Sequence, residues 1–185
     1  MIDLNLLKEE DRLVISRINE KGRAWIVGGW VRDSLSGLMP TELDLATTLT
    51  PRDVQAIFPR SIMTGEKFGT AIVRIDDSEK ASYHCEVTTL RADGGYGDGR
   101  RPDNVVFGQE IEADLARRDF TINAMAVDYS GRLIDPFGGL DDLQEGLLRT
   151  VGSAEERIGE DGLRVLRAFR FMSCLLYTSP SPRDY

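Results

Sequence analysis

The sequence predicts an α+β domain built around a small mixed sheet, and three observations predict it. Helix-like and strand-like segments are interspersed without the strict alternation of a βαβ protein. The apolar runs that read as strands are short and are bounded by Gly, Pro, Asp or Ser. The 185 residues, 41% hydrophobic and 29% charged, suit a soluble domain with a proper core, or one domain plus part of a second.

Taken in order, residues 4–20 carry Leu4, Leu7, Val14 and Ile18 at near-helical spacing and read as a first helix. Residues 24–27 (AWIV) form a short apolar strand that runs into Gly28-Gly29. A helix follows over 30–35 and is stopped by Gly37. Residues 43–46 read as a second strand. Thr50 caps another helix with Pro51 in its first position, where a missing N–H costs nothing. Strands are expected over 70–75 and 83–90, and the Gly-rich, charged stretch 93–104 reads as a mobile loop. Residues 112–129 return to helix and then strand, and 132–135 make a strand after a Ser130-Gly131 turn. Short and long helices are expected over 139–145 and 159–173. No internal repeat is evident. Pro180 and Pro182 stop any helix in the last ten residues, so 176–185 read as a disordered or foreign end of a truncated chain, or as a short Pro-rich tail.

Composition excludes several classes. No apolar run approaches the ~20 residues of a membrane span, and the acidic, helical N-terminus is no secretory signal. Cys85 and Cys174 lack metal-type spacing and a disulfide framework, which makes a reducing cytoplasm the expected location. A net charge of −8 argues against a whole-surface nucleic-acid binder but leaves room for a local basic groove, and carboxylates are what hard cations such as Mg²⁺ require.

The chemistry begins at residues 28–44. A strand that ends in paired glycines and enters a helix lets the backbone approach a phosphate, with free N–H groups at the helix start. Arg32 lies one turn on and can reach the same phosphates. Alone, GGxxR is equally an ordinary strand–helix turn with a surface arginine, and it is neither a Rossmann fingerprint nor a P-loop. Glu42-Leu43-Asp44 adds two carboxylates that a strand would project from one face. Beside a phosphate turn, such a pair can hold two Mg²⁺ ions. Glu86, on the strand with His84 and Thr88, is either an exposed acid or a third carboxylate that places an attacking hydroxyl; His84, the only histidine, reads as an ordinary strand residue. Arg117 and Arg118 are either a charged helix start capped by Asp119 or a pair that neutralises phosphate. Asp161, Arg164, Arg167 and Arg170 recur every third residue, with Arg164 and Arg167 opposite an apolar stripe of Val165, Leu166, Phe169 and Met172. They are either surface ion pairs or an acceptor–donor set that reads a base edge.

The order of seven motifs is more specific than any one of them. IVGGWVRDSLSG, ELDLATTLTP, TGEKFGTAIV, CEVTTLR, DLARRDFTINAMA, LIDPFGGLDDL and GEDGLRVLRAFRF span residues 24–173. Together they resemble the class II CCA-adding tRNA nucleotidyltransferases of the polymerase β-like nucleotidyltransferase superfamily. The resemblance implies a catalytic head over residues 1–140, the start of a helical neck over 141–175, and metal-dependent addition of C and A from CTP and ATP to the tRNA 3′ end. It implies nucleotide contacts from Gly28, Gly29, Arg32, Arg118, Arg167 and Arg170, metal carboxylates at Glu42 and Asp44 with Glu86 beside them, Mg²⁺ as cofactor, and base pairing by Asp161 and Arg164. Poly(A) polymerases and CC-only or A-only enzymes share the scaffold, and a non-catalytic nucleotide-binding domain is the alternative of another class. One residue departs from the pattern: Glu42 stands where the family usually has Asp, displacing the carboxylate by about one C–C bond, ~1.5 Å.

Overall fold

A computed structural model describes residues 2–65, 69–75, 83–92 and 106–175. The loop expected over 93–104 and the tail 176–185 lie outside the described residues, as does the middle of TGEKFGT.

The N-terminal segment is two pieces instead of one helix. Asp3 accepts a hydrogen bond from the Asn5 backbone N–H (2.9 Å) and caps a single 3-10 turn, Leu4–Leu6. Leu7 and Lys8 are extended, and helix α1 then runs Glu9–Asn19. The break turns Leu7 into the core alongside Val14, Ile15 and Ile18 of α1. Strand β1 (Ala24–Val27) follows, then α2 (Gly29–Leu35), β2 (Asp44–Thr47) and α3 (Pro51–Ile57). Thr50 caps α3 with Pro51 in its first turn, as the sequence predicts, and the Asp53 carboxylate accepts in return from the Thr50 backbone N–H (3.0 Å). Strands β3 (Ile62–Gly65), β4 (Thr70–Ile75) and β5 (Tyr83–Thr89) come next, then a small ribbon of β6 (Arg91–Ala92) and β7 (Val106–Phe107). Helix α4 (Ile111–Ala116), a 3-10 turn at Thr121–Asn123, β8 (Ala126–Val127), β9 (Leu133–Ile134), α5 (Gly139–Gln144), α6 (Ala154–Glu160) and α7 (Leu163–Leu175) complete the order.

The described strands form a seven-stranded mixed sheet in the order β3-β4-β5-β2-β1-β8-β9, with β2 and β5 parallel and the other pairings antiparallel. Both faces are covered, and this is why β1 reads as a continuous apolar run and not as an alternating one. Ala24 and Ile26 pack into the cluster under α1 and α3, while Trp25 and Val27 face a second cluster with Leu90, Ile111 and Leu115. Among the described residues no helix is long and apolar enough to cross a membrane.

The C-terminal helix departs from expectation. A continuous helix over 159–173 is instead α6 and α7, broken at Asp161-Gly162. Asp161 is extended (φ −154°, ψ 109°) and its Oδ1 accepts from the Leu163 backbone N–H (2.9 Å). A short acidic side chain favours this capping role over a helix interior, and Gly162 offers the helix little. The stripe of Leu166, Phe169 and Met172 is also exposed, at 65%, 66% and 46%. Arg164, Arg167 and Phe171 turn toward the residues around Gly28 and Asp119, while Arg170 stays exposed.

Candidate active site

Gly28 opens the site. It sits between β1 and α2 with φ 69° and ψ −137°, a conformation that side chains resist. A Cβ there would come within 3.3 Å of the Asp44 carboxylate and 3.8 Å of the Arg118 guanidinium. The glycine therefore serves two ends: it makes the turn, and it leaves the space between an acid and a base open. Gly29 begins α2 beside Arg32.

Asp44 is the first residue of β2, paired with Val27 of β1 and with Glu86 of β5. Burial, then the Glu86 carboxylate, pushes its carboxyl up to about 6; Arg118 pulls down and Glu42 adds a further upward push. Glu42 does not share the strand with Asp44, since β2 begins two residues later, and its side chain is exposed on irregular backbone. The shared-face argument thus gives way to proximity: Glu42 and Glu86 both act on Asp44 electrostatically.

The arginines surround the other side of Asp44. Arg32 donates to Asp33 through Nε (2.9 Å) and Nη2 (2.7 Å) and to the Asn123 side chain through Nη1 (2.8 Å). Arg117 and Arg118 lie at the C-terminal end of α4, not at a helix start, and both bind the buried Asp114. Burial alone would raise the Asp114 carboxyl, but the two guanidiniums outweigh it and hold it below the usual carboxylate range. Arg118 also reaches the Asn123 carbonyl (3.4 Å), and among the described residues its Nε is buried without a hydrogen-bond partner. Arg164 donates to the Glu160 carboxylate (2.6 Å) and the Arg157 carbonyl (2.6 Å). Arg167 Nε donates to Asp119 (2.7 Å).

Two clefts result, and Asp44 lines both. The first, of about 410 Å³, brings together Gly28, Gly29, Arg32, Arg118, Asp161, Arg164 and Arg167. The second, of about 660 Å³, holds Glu42 and Glu86 with Trp30, Tyr83 and His84. Arg170 is exposed and stands outside the lining of either cleft. Asp119, Asn123 and Phe171 line the first cleft and escaped the sequence reading. Their signal was weak, because their partners lie far off in sequence: Asp119 meets Arg167, and Asn123 meets Arg32.

The LIDPFGGLDDL motif is a brace for this arrangement. Asp135 accepts from the backbone N–H groups of Gly139 (2.7 Å) and Leu140 (2.9 Å), fixing the start of α5. A Cβ on Gly139 would lie 2.2 Å from the Thr121 carbonyl oxygen, so only glycine permits the contact. Thr121 in turn donates to the buried Asp142 (2.6 Å). The 3-10 turn that carries Asn123 is locked from behind.

The donor chemistry fits a hard divalent cation: a half-buried carboxyl held up by neighbouring acids is relieved by positive charge. Among the described residues no three acidic, histidine or cysteine side chains converge closely enough to hold a metal alone. A cation here would complete its shell with water and phosphate oxygens, as Mg²⁺ ordinarily does. Cys85, buried beneath the acids, has its thiol pushed up to about 12 by burial and supplies no thiolate.

The sequence profile of the poly A polymerase head domain family matches residues 24–149, the stretch that builds both the sheet and most of these residues. The chain belongs to that family. The chain is 48% identical over 163 residues to a CCA-adding enzyme of Geobacillus thermodenitrificans, covering 88% of this chain and 39% of that one. It is 49% identical over 166 residues to one of Lactobacillus johnsonii, covering 89% and 40%. In structure it resembles the Bacillus stearothermophilus CCA-adding enzyme in complex with CTP, with a TM-score of 0.78, 42% identity, and coverage of 90% of this chain and 40% of that one. It also resembles a Thermotoga maritima CCA-adding enzyme complexed with tRNA, with a TM-score of 0.68, 26% identity, and coverage of 93% and 40%. The chain spans about two fifths of the length of the curated relatives it matches.

Proposed function

We propose that this chain carries the nucleotidyl-transfer site of a CCA-adding enzyme, which adds C and A from CTP and ATP to the tRNA 3′ end and releases pyrophosphate. The observation that carries the reading is that Asp44 lines both a cationic and an acidic cleft. Transfer needs two substrates to meet at one atom, and two clefts that share a carboxylate provide the meeting point.

In this reading the triphosphate lies in the first cleft. Arg32 and Arg118 face its phosphate oxygens, and among the described residues the buried Arg118 Nε–H has no partner. Arg167 and Arg170 extend the cationic surface along α7. The RNA 3′ end enters the second cleft, where Glu86 orients its terminal hydroxyl beside Asp44. The 3′ hydroxyl loses its proton to water and its oxygen forms a bond to the α-phosphorus as the bond to the bridging oxygen of pyrophosphate breaks in line. Glu42 and Asp44 would hold Mg²⁺, which when bound supplies charge neutralisation for the triphosphate and its leaving group. Asp161 and Arg164 read the base edge. Glu160 fixes the Arg164 guanidinium from one side and leaves its remaining donors for a cytosine or adenine. The proposed division is a catalytic head to residue 140 followed by the start of a helical neck, working in the cytoplasm.

Radiolabelled CTP and ATP offered with tRNA that lacks its terminal CCA test the proposal, with Mg²⁺ and with chelator. Incorporation of C and then A that depends on Mg²⁺ is expected, from this chain or from this chain extended by the C-terminal region of a relative. Long runs of A with no use of CTP would favour a poly(A) polymerase on the same scaffold. Nucleotide binding without incorporation in the extended chain, and with Glu42→Asp as well, would reduce the reading to a non-catalytic binding domain.

A further inference from the structure

Phe171 is out of place. Helix α7 turns its apolar stripe to solvent, with Phe169 66% exposed, yet Phe171 faces a cleft lined by arginines. Its ring centroid lies 5.3 Å from the Arg32 guanidinium carbon and 5.5 Å from that of Arg167. The buried Phe120 meets it edge-on, with centroids 5.7 Å apart and planes at 80°. An aromatic face carries negative charge density that attracts cations within about 6 Å.

A closed circuit follows from these contacts. Arg167 donates to Asp119; the Asn123 amide reaches Asp119 at 3.4 Å; Arg32 donates to Asn123; and both arginines return to the Phe171 ring. The members come from α2, α7 and the turn between α4 and β8. Arg32 belongs to the phosphate end of the cleft, and Arg167 to the helix that begins just after Asp161. The ring is the point at which the two ends touch.

We propose that Phe171 is a positioning residue: through its ring face it sets Arg32 and Arg167 in register, so that the glycine turn and helix α7 grip one nucleotide together. The inference rests on the nucleotide-site reading above. It does not require Phe171 to touch the ligand. Two guanidiniums held before the triphosphate arrives need less ordering when it does. Arg32 is the better shielded, with its side chain 15% exposed against 54% for Arg167, so the Arg32 contact carries more of the effect.

The fluorinated series keeps the ring's shape and changes mainly its electronics. Phe171 is replaced in the full chain by mono-, di- and trifluorinated phenylalanine, and also by Phe171→Trp and Phe171→Leu. Calorimetry reads the affinity for CTP and for inorganic tripolyphosphate, each with Mg²⁺. Affinity for both is expected to fall stepwise with fluorination, about threefold to tenfold across the series, with the melting temperature nearly constant. Phe171→Trp should bind at least as well as the wild type, and Phe171→Leu no better than the trifluorinated ring. Flat affinity across the fluorinated series, in a chain that binds CTP, overturns this inference alone and leaves the nucleotide site standing. No CTP binding by the wild-type chain overturns both. The fluorinated series decides even where Phe171→Leu fails to fold.

Discussion

Asp44 and Glu86 stand directly opposite one another in the parallel strand pair β2–β5. Burial first, and then repulsion from the Glu86 carboxylate, push the Asp44 carboxyl up to about 6.

The first prediction is that the site destabilises the protein that carries it. An unfolded aspartate titrates near 3.8, so between about 6 and 3.8 the folded state binds a proton that the unfolded state does not. The contribution of Asp44 to stability therefore rises as pH falls through that window, opposite in sign to that of Asp114, and its ionised form at neutral pH is the less stable one. Asp44→Asn should abolish nucleotide transfer yet raise the melting temperature in chelator at about pH 7.5 by ~2–4 °C. The gain should shrink toward zero below about pH 4, where the wild-type carboxyl is already protonated. A gain independent of pH would place its cause elsewhere.

Glu42 is exposed and precedes β2, so its carboxylate can adjust where a strand residue could not. Glu42→Asp should change kcat by less than about threefold, while Glu42→Ala should cost about a hundredfold or more, the scale of a lost metal carboxylate. Steady-state kinetics at several Mg²⁺ concentrations separates the two variants. A large gain from Glu42→Asp would show that the extra methylene misplaces the group.

Two glycines should fail in different ways. Gly139→Ala drives a Cβ into the Thr121 carbonyl, a backbone atom with no rotamer to yield, and should cost about 3 kcal/mol of stability in urea unfolding. Gly28→Ala should cost about 1–3 kcal/mol, because φ 69° with ψ −137° is a conformation nearly confined to glycine. Its loss of nucleotide transfer should be disproportionate, because the methyl fills the gap between Asp44 and Arg118.

Asp119 is buried and accepts from Arg167, Asn123 and the Phe120 backbone. Asp119→Ala should lower stability by about 2–3 kcal/mol, the range for lost hydrogen bonds to a charged group. It should raise KM for CTP and for ATP alike, since it loosens Arg32 and Arg167 without touching the base-reading pair. A change confined to one nucleotide would contradict this placement.

Much of the site was legible because its signals are local. Gly28-Gly29 beside Arg32, and Asp44 shortly after, sit on consecutive elements, so spacing alone brings them near one another. Thr50-Pro51 declared its helix through capping chemistry that needs no tertiary contact. What escaped was built by long-range contacts. Asp119 and Asn123 look like ordinary polar residues until folding brings Arg167 and Arg32 onto them. The break at Asp161-Gly162 was hidden because the arginine spacing reads equally well through it. The apolar stripe of α7 is legible in the sequence, but which way the helix faces is not, and among the described residues the stripe is exposed.

Base reading by protein side chains is the centre of the account, and Arg164→Ala tests it most directly. Affinities for CTP, ATP, GTP, UTP and inorganic tripolyphosphate are measured with Mg²⁺ on both proteins. The wild type should prefer CTP and ATP to GTP and UTP, by about tenfold for one well-made hydrogen-bonded contact to a base edge. Arg164→Ala should lose that preference and keep its tripolyphosphate affinity. Equal weakening for every nucleotide and for tripolyphosphate would contradict the account and make Arg164 one more phosphate contact.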